Sequence, residues 1–233
     1  MVHGLPRSCD VLVVGAGVVG LTIALELRRR HPASRIVVLE KETRAGAHAS
    51  GRNSGVLHAG FYYSADSLKA RLTREGNRRL SEWCVEHDVP LRRSGKLVVA
   101  RSEADHAGLD ELLRRARANG VELEPVDEDE ARRIEPCART VGRALYSPTT
   151  SVVDPTLVMQ RLEEHAERSQ VAVETRSAWR GRRGTTVLTD TDAIEAGYLV
   201  NAAGLHADRV AQAYGFGQDC VMDPWYPLGS ADM

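Results

Sequence analysis

The chain is poor in cysteine and lacks the cysteine spacings that mark a metal or redox site. Its 233 residues include four cysteines, Cys9, Cys84, Cys137 and Cys220. No two of them form a C-x-x-C pair, so the sequence indicates neither a zinc site nor a dithiol redox motif. We therefore expect reduced thiols and no metal site.

Long apolar runs are also missing. Residues 1–8 contain too little apolar sequence for the hydrophobic region of a signal peptide. No later segment approaches the roughly 20 apolar residues that a membrane-spanning helix needs. These absences predict a cytoplasmic protein, and they leave open peripheral contact at the inner membrane surface.

Neither sign of charge is in excess. The 31 basic and 32 acidic residues give a formal net charge of −1, so composition gives no argument for binding nucleic acid. Lysine is rare, since only Lys41, Lys69 and Lys96 occur. With 42% hydrophobic residues the chain can bury a substantial core, either as one large domain or as two interleaved ones.

A dinucleotide-binding pattern stands near the start of the chain. An apolar strand, residues 10–14, runs directly into Gly15-Ala16-Gly17-Val18-Val19-Gly20, a G-x-G-x-x-G turn that opens a helix. The first glycine allows the tight turn, the second lets the backbone approach a pyrophosphate, and the third lets helix and strand pack closely. Because the positive end of the helix faces this turn, we predict that it binds the phosphates of a dinucleotide.

An acidic residue follows at a suitable spacing. Residues 35–39 form a second buried strand in this interpretation, and Glu40 ends it twenty positions after Gly20. A carboxylate there accepts hydrogen bonds from the adenosine ribose hydroxyls and repels a 2′-phosphate. The sequence therefore favours FAD or NAD over NADP.

The following residues alternate between loop, helix and strand patterns. Small polar residues from Lys41 to Asn53 predict a loop over the carboxyl ends of the strands, where doubly wound proteins bind ligands. Asp66 is a candidate cap for a helix from Ser67 to about His87, and Gly76 on its apolar stripe suggests close packing. Further elements are predicted over 95–100 (strand), 103–118 (helix, stopped by Asn119-Gly120), 121–134 (short strand and acidic helix), 154–167 (helix), 171–173 (strand), 185–188 (β excursion), 198–204 (strand) and 206–214 (helix).

Five runs of residues resemble one family. They are His48–Tyr63, with SGRNSGVLHAG at its centre, Ser67–Leu72, Gly95–Ala100, Ser147–Asp154 and Asn201–Arg209. In these runs the chain resembles the FAD-dependent L-2-hydroxyglutarate oxidase/dehydrogenase family, which belongs to the D-amino-acid-oxidase-like flavoproteins. The resemblance covers nearly the whole chain, to about Gly215.

That resemblance implies an α/β fold in which two domains alternate along the chain. A doubly wound, Rossmann-like FAD-binding domain is expected from residues 1–85 and 150–218. An incomplete α+β substrate domain is expected from residues 86–149 and 219–233.

The resemblance also implies FAD as the cofactor. It places the segment from Asn53 to Gly60 beside the isoalloxazine ring and brings Ala203 and Gly204 to the FAD pyrophosphate with bare backbone. The residues expected to bind the cofactor are Gly15, Ala16, Gly17, Val18, Val19, Gly20, Glu40, Lys41, Asn53, Ser54, Gly55, Ala203 and Gly204.

Oxidation of a 2-hydroxy acid needs a base for the hydroxyl proton and a group that binds the carboxylate. His58 is the candidate base or hydroxyl-orienting group, because its ordinary pKa suits that work and the resemblance puts it near the ring. The alternative is a histidine that only hydrogen-bonds a neighbouring loop. Arg52 is the candidate for substrate carboxylate or flavin electrostatics. A second set of residues either lines the site or serves packing and surface charge: Tyr62, Tyr63, Lys69 and Arg71.

The likeness fades over residues 223–228, and family members are considerably longer than this chain. An incomplete substrate domain is expected to leave unpaired strand edges and exposed apolar surface, which predicts poor solubility or dependence on a complementing C-terminal chain.

The leading hypothesis is oxidation of L-2-hydroxyglutarate to 2-oxoglutarate, with oxygen or a quinone-linked compound as electron acceptor. One alternative is a related FAD enzyme acting on glycerol-3-phosphate or on an amino acid, similar to glycine or sarcosine oxidases. Another is a truncated FAD-binding module that turns nothing over.

Overall fold

The computed structural model describes residues 6–190 and 192–217 of the chain. Its helices are α1 (Val18–Arg30), α2 (Leu68–Glu86), α3 (His106–Asn119), α4 (Glu128–Ile134), α5 (Pro155–Arg168) and α6 (Ala207–Ala213). Its strands are β1 (Ser8–Val14), β2 (Ile36–Leu39), β3 (Val56–Leu57), β4 (Leu91–Arg92), β5 (Lys96–Val99), β6 (Glu124–Asp127), β7 (Arg143–Ser147), β8 (Ser151–Val153), β9 (Ala172–Glu174), β10 (Trp179–Arg183), β11 (Thr186–Thr189) and β12 (Ala193–Asn201).

By their contacts these elements form two compact units. The first unit is Met1–Asn53 with Pro155–Met233, and the second unit is Ser54–Asp154. Within the described ranges, none of the helices is both long enough and apolar enough to cross a membrane.

The first unit is built on a six-stranded sheet in the order β10-β11-β12-β1-β2-β9. Strands β12, β1, β2 and β9 run parallel, whereas β10 and β11 form an antiparallel excursion. Strand β2 is apolar because both of its faces are covered, and all four of its residues are buried. This mixed α/β sheet with a parallel centre confirms the predicted fold class.

Two helices of this unit pack on each other beside the parallel strands. Helix α1 contacts α5 and β2, and α5 contacts β9. The last turn of α1 carries Arg28, Arg29 and Arg30, whose charges stabilise the negative end of the helix. Pro155 opens α5, where a proline loses no intrahelical hydrogen bond.

Strand β12 is only partly covered along its length. Its residues 193–195 pair with β11, whereas 196–201 pair with β1 alone among the described residues. Tyr198 in this part of the strand is 76% exposed. Among the described residues, the outer edge of the second half of β12 therefore has no strand partner, and such an edge can accept an additional strand.

The second unit contains two three-stranded antiparallel sheets, in the orders β3-β8-β4 and β5-β7-β6. Helix α3 ends at Gly120, whose φ of 61° gives the left-handed cap predicted from Asn119-Gly120. The acidic helix α4 is capped by Asp127, whose carboxylate accepts a 2.7 Å hydrogen bond from the Glu130 N–H.

Two local predictions for α2 are wrong. Its N-terminal cap is Ser67 and not Asp66, since the Ser67 hydroxyl accepts a 3.1 Å hydrogen bond from the Ala70 N–H. A Cβ placed on Gly76 would meet no atom of the described chain within 4 Å, so this glycine makes no close contact there. Leu68 and Leu72 on the same stripe are 64% and 62% exposed, because nothing described packs over that face.

Residues 54–85 pack with the second unit, although the sequence assigned them to the nucleotide-binding domain. The physical reason is that β3 pairs with β8 and that α2 contacts α3 and β4. The predicted final segment of the substrate domain, 219–233, and Cys220 lie outside the described residues.

Candidate cofactor and active site

The glycine turn after β1 has the close contacts that its three glycines permit. Gly15 adopts a φ of 107°, in the left-handed half of backbone space that favours glycine. A Cβ on Gly15 would overlap the carbonyl of Ala202, and a Cβ on Gly20 would overlap the carbonyl of Gly15. The turn therefore brings the ends of β1 and β12 and the first turn of α1 together.

The N-terminus of α1 is left open to a ligand. Its cap residue, Gly17, has no side chain to bind the first N–H groups, and the first turn carries no acidic residue. One of these groups, the N–H of Val18, donates to the Ser50 hydroxyl at 3.0 Å. Exposed Val18 and Val19 stand at the same helix end. This end has the positive field and the bare backbone that an anionic group requires.

Glu40 is placed beside this turn by the end of β2. Its carboxylate is 8% exposed and accepts hydrogen bonds from the N–H of Ala16 at 3.1 Å and from the N–H of Glu42 at 2.9 Å. Its backbone carbonyl accepts the N–H of Ser177 at 2.8 Å. Because a carboxylate has about four acceptor positions, Glu40 keeps capacity for hydroxyl donors.

The loop after Glu40 carries an ion-pair cluster. Lys41 contacts the Glu42 carboxylate, and His48 lies 2.9 Å from the same carboxylate and 3.0 Å from the Lys41 ammonium. Lys41 and then His48 hold the pKa of Glu42 down at about 2. Lys41 thus has a carboxylate partner of its own.

The next predicted site residues stand at a short turn that ends this loop. The Asn53 amide donates to the carbonyls of Ala49 at 3.0 Å and Ser50 at 2.9 Å, which fixes the turn. Arg52 ends the turn and is exposed. Asn53 is the last residue of this segment of the first unit, and Ser54 and Gly55 begin the second unit.

Gly204 follows β12 at the other predicted pyrophosphate contact. It adopts a φ of 57°, and a Cβ there would meet nothing within 4 Å among the described residues. The preceding Ala203 donates its N–H to the Asn201 side chain at 3.3 Å. The backbone at Gly204 is accordingly accessible.

In the second unit, the segment 57–63 carries His58 and the two tyrosines. It leaves β3 and has little regular structure, yet its backbone carbonyls are bound by side chains from two helices. Asn77 on α2 donates to the carbonyls of Leu57 at 2.9 Å and His58 at 3.3 Å. Asn77 also reaches the carbonyl of Thr149 at 3.3 Å.

Helix α3 holds the other end of this segment. Asn119 donates to the carbonyls of Gly60 at 3.2 Å and Tyr63 at 2.9 Å, and Arg115 donates to the carbonyl of Tyr62 at 2.7 Å. We call residues 57–63 the clamped segment. Its irregular backbone keeps a defined conformation because these side chains replace a strand partner.

The clamped segment presents His58 as a neutral base near neutral pH. His58 is an exposed residue. Its partial burial, and secondarily the positive charge of Lys96, lower the pKa of His58 from its ordinary value of 6.5. A neutral imidazole can accept a proton, as a general base must.

Sequence reasoning missed the residues that hold these groups in place. They are Ser50, Asn77, Arg115 and Asn119, together with Lys96 beside His58. One signal was present for Asn77, since asparagine is unfavourable within a helix and its amide there often serves another segment.

The first unit therefore defines an α/β protein with a dinucleotide-binding turn. The sequence profile described as FAD dependent oxidoreductase (DAO) matches residues 10–227. The chain belongs to this family of FAD-dependent oxidoreductases, whose cofactor is FAD.

Curated relatives agree with this family. The chain is 34% identical over 216 residues to L-2-hydroxyglutarate dehydrogenase from Indibacter alkaliphilus, covering 87% of this chain and 52% of that protein. It is 31% identical over 221 residues to L-2-hydroxyglutarate dehydrogenase from Escherichia coli K12, covering 93% and 52%. The chain thus spans about half the length of the curated relatives it matches.

Solved structures share the fold. Glycine oxidase from Geobacillus kaustophilus matches with a TM-score of 0.81 at 24% identity, covering 90% of this chain and 59% of that one. L-alpha-glycerophosphate oxidase from Mycoplasma pneumoniae, with FAD bound, matches with a TM-score of 0.80 at 24% identity, covering 89% and 57%.

The residues present fit FAD. The glycine turn leaves no room for a side chain, the start of α1 lacks a side-chain cap, and Glu40 is a buried carboxylate beside both. These features suit a pyrophosphate and a ribose that carries free hydroxyls.

Proposed function

We propose that the chain takes part in FAD-dependent oxidation of a 2-hydroxy acid, L-2-hydroxyglutarate, to 2-oxoglutarate. The observation that carries this proposal is the identity of 31 to 34% with L-2-hydroxyglutarate dehydrogenases over about nine-tenths of the chain. The electron acceptor is oxygen or a quinone-linked compound in this proposal.

The cofactor is held by the first unit in this proposal. The bare backbone of the glycine turn, residues 15–20, and the backbone at Ala203 and Gly204 bind the pyrophosphate at the positive end of α1, and Glu40 accepts the ribose hydroxyls. Lys41 and Asn53 of the first unit add to these contacts, and Ser54 and Gly55, which begin the second unit, are the remaining cofactor contacts in this proposal. When bound, FAD supplies the hydride acceptor for the oxidation.

The residues of the chain itself contribute proton transfer and binding of the substrate carboxylate. His58 accepts the C2 hydroxyl proton at an imidazole nitrogen, and its lowered pKa keeps that nitrogen free. Arg52 is exposed and attracts the carboxylate. The clamped segment keeps His58 in a single backbone conformation while it acts.

A decisive experiment is the visible spectrum of the FAD-reconstituted chain under anaerobic conditions. Addition of L-2-hydroxyglutarate is expected to bleach the bound flavin, and the D-enantiomer is the matched control. Retained flavin that neither enantiomer bleaches would contradict the proposal. Bleaching by glycerol-3-phosphate or glycine instead would assign a related substrate.

The half-length match favours a second candidate, an FAD-binding module that needs another polypeptide for turnover. In that case the chain holds flavin alone and bleaches it only after a chain corresponding to the rest of the relatives' length is added. The open half of β12 is one place where a strand of such a chain can add.

A further inference from the structure

Two of the chain's three lysines stand out because neither is paired with a carboxylate among the described residues. In the described ranges, every ion pair within the second unit uses arginine as its cation. Lys69 and Lys96, both in this unit, lie instead over tyrosine rings. The Lys69 ammonium is 4.6 Å from the centre of the Tyr63 ring, and the Lys96 ammonium is 4.8 Å from that of Tyr62.

Lys96 is fixed in position by the sheet. It begins β5 and pairs with Ser147 on β7. Alternation along the strand puts Lys96 on the same face as Val98, which packs against the buried cluster of Ala59, Phe61 and Ala116. The half-buried Lys96 side chain therefore extends along the surface that the clamped segment covers.

The ring beneath the ammonium is also fixed. Tyr62 lies against Phe61 with ring centres 4.1 Å apart, and Phe61 is fully buried. Arg115 binds the Tyr62 carbonyl. A lysine on such a ring keeps its charge and loses part of its hydration, but the contact leaves the charge uncompensated.

The charge of Lys96 acts on His58, whose pKa it lowers in addition to burial. Lys96 therefore lies within electrostatic range of His58, and no carboxylate is paired to Lys96 among the described residues. Such a pair favours binding of an anion that accepts a hydrogen bond from the Lys96 ammonium and lies next to the His58 imidazole.

We propose that Lys96 is a substrate-binding residue whose ammonium, held on the face of Tyr62, binds a carboxylate group of the hydroxy acid beside His58. This inference rests on the proposed function for the identity of the ligand. The anion site itself consists only of residues in the second unit. It can be tested without flavin and without turnover.

The small number of lysines makes a direct test possible. Reductive methylation with 13C-formaldehyde labels Lys41, Lys69, Lys96 and the N-terminal amine, and dimethylation preserves the lysine charge. The Lys96→Arg chain assigns the Lys96 signal, because arginine is not methylated and keeps the charge. The probe is glutarate, a dicarboxylate without the reactive hydroxyl, with sodium chloride at equal ionic strength as the control.

Glutarate is expected to shift the Lys96 signal to a plateau, whereas the Lys41 signal, from a lysine already paired with Glu42, follows ionic strength alone. Glutarate is also expected to raise the pKa of His58, since an anion replaces repulsion with attraction. Lys96→Gln should abolish that rise, and the matched Lys69→Gln should retain it. A Lys96 signal that moves only in parallel with Lys41 would overturn the proposal, as would a His58 pKa equal in glutarate and chloride.

The outcome separates this inference from the proposed function. If glutarate binds saturably at Lys96 but L-2-hydroxyglutarate does not reduce the bound flavin, the anion site is supported and the proposed function is refuted. Flavin reduction without any Lys96 response would leave the function standing and refute the site.

Discussion

The Glu40 carboxylate accepts the backbone N–H of Ala16 at 3.1 Å and so ties the end of β2 to the glycine turn. With its second oxygen it accepts the N–H of Glu42. Each carboxylate oxygen thus accepts one N–H within the protein and keeps a further acceptor position for the ribose hydroxyls that it is proposed to bind. Glu40 thus links folding of the turn to binding of the cofactor.

Replacing Glu40 by Gln should weaken both stability and FAD binding. The amide nitrogen of Gln must face one of the two N–H donors, so a buried donor loses its acceptor, at about 1–3 kcal/mol. Urea unfolding and a flavin fluorescence titration measure the two effects. Glu42→Gln, at an exposed carboxylate, is the matched control and should leave FAD binding nearly unchanged. Equal losses in both chains would contradict a specific role for Glu40.

The glycines provide a pair of opposite predictions. Gly20→Ala should destabilise the chain by roughly 1–3 kcal/mol, because the new Cβ overlaps the Gly15 carbonyl and helix and strand must separate. Gly76→Ala should stabilise it by roughly 0.5–1 kcal/mol, since that helical position has open space and alanine restricts the unfolded chain. Chemical denaturation of both variants tests this, and a destabilising Gly76→Ala would show that something covers that face of α2.

The clamped segment should depend on Asn119. Its side chain is buried, the residue being 5% exposed, and it binds two carbonyls of the segment. Asn119→Ala should lower the free energy of unfolding by about 1–3 kcal/mol, because these carbonyls lose their donor. Hydrogen exchange should accelerate within residues 57–63. Arg114→Ala, at an exposed position of the same helix, is the control and should change neither measurement appreciably.

Local signals were sufficient for much of the fold. The β1-turn-α1-β2 unit, the Gly120 cap and the acidic α4 were predicted because each depends on residues close together in sequence. The clamp was not predictable in this way. Asn119 and Gly60 are 59 positions apart, and no periodicity reports which carbonyl a buried amide will reach.

The same limit affected the division into units and the candidate site. The glycine turn and Glu40 were found from spacing, and the structure brings them into contact. Residues 54–85 were predicted in the nucleotide-binding domain, whereas by their contacts they group with the second unit. The pairing of β3 with β8 joins Val56 to Val152, a contact that sequence patterns do not encode. Lys96 was missed because its significance lies in its place over the Tyr62 ring, with no ion pair to a described carboxylate, which only the assembled structure shows.

Thiol reactivity should report on burial of β1 and α2. Burial raises the pKa of Cys9 to about 11 and also raises that of Cys84, whereas Cys137 is exposed. In a Cys220→Ser chain at pH 8, one thiol should react rapidly with a disulfide reagent, and two more should react only after unfolding. Cys137→Ser in the same background is expected to remove the rapid phase. A rapid phase of three thiols would mean that β1 is accessible.

The pH dependence of flavin reduction should follow the neutral form of His58. Because the pKa of His58 is lowered below 6.5, the imidazole stays free to accept a proton at neutral pH, and the rate should fall only as the pH drops below 6.5. The unfolded chain, with the ordinary pKa, takes up its proton first on acidification, so this group's contribution to stability is also lost below pH 6.5.

Lys96→Gln should move the midpoint of that rate profile upward, toward 6.5, because it removes a positive neighbour while the larger effect of burial remains. Lys69→Gln is the matched control and should leave the midpoint where it is. Stopped-flow reduction from pH 5 to 8 measures both chains. A His58→Gln chain that keeps the same profile would show that another group takes the proton, whereas loss of the profile in that chain assigns the titration to His58.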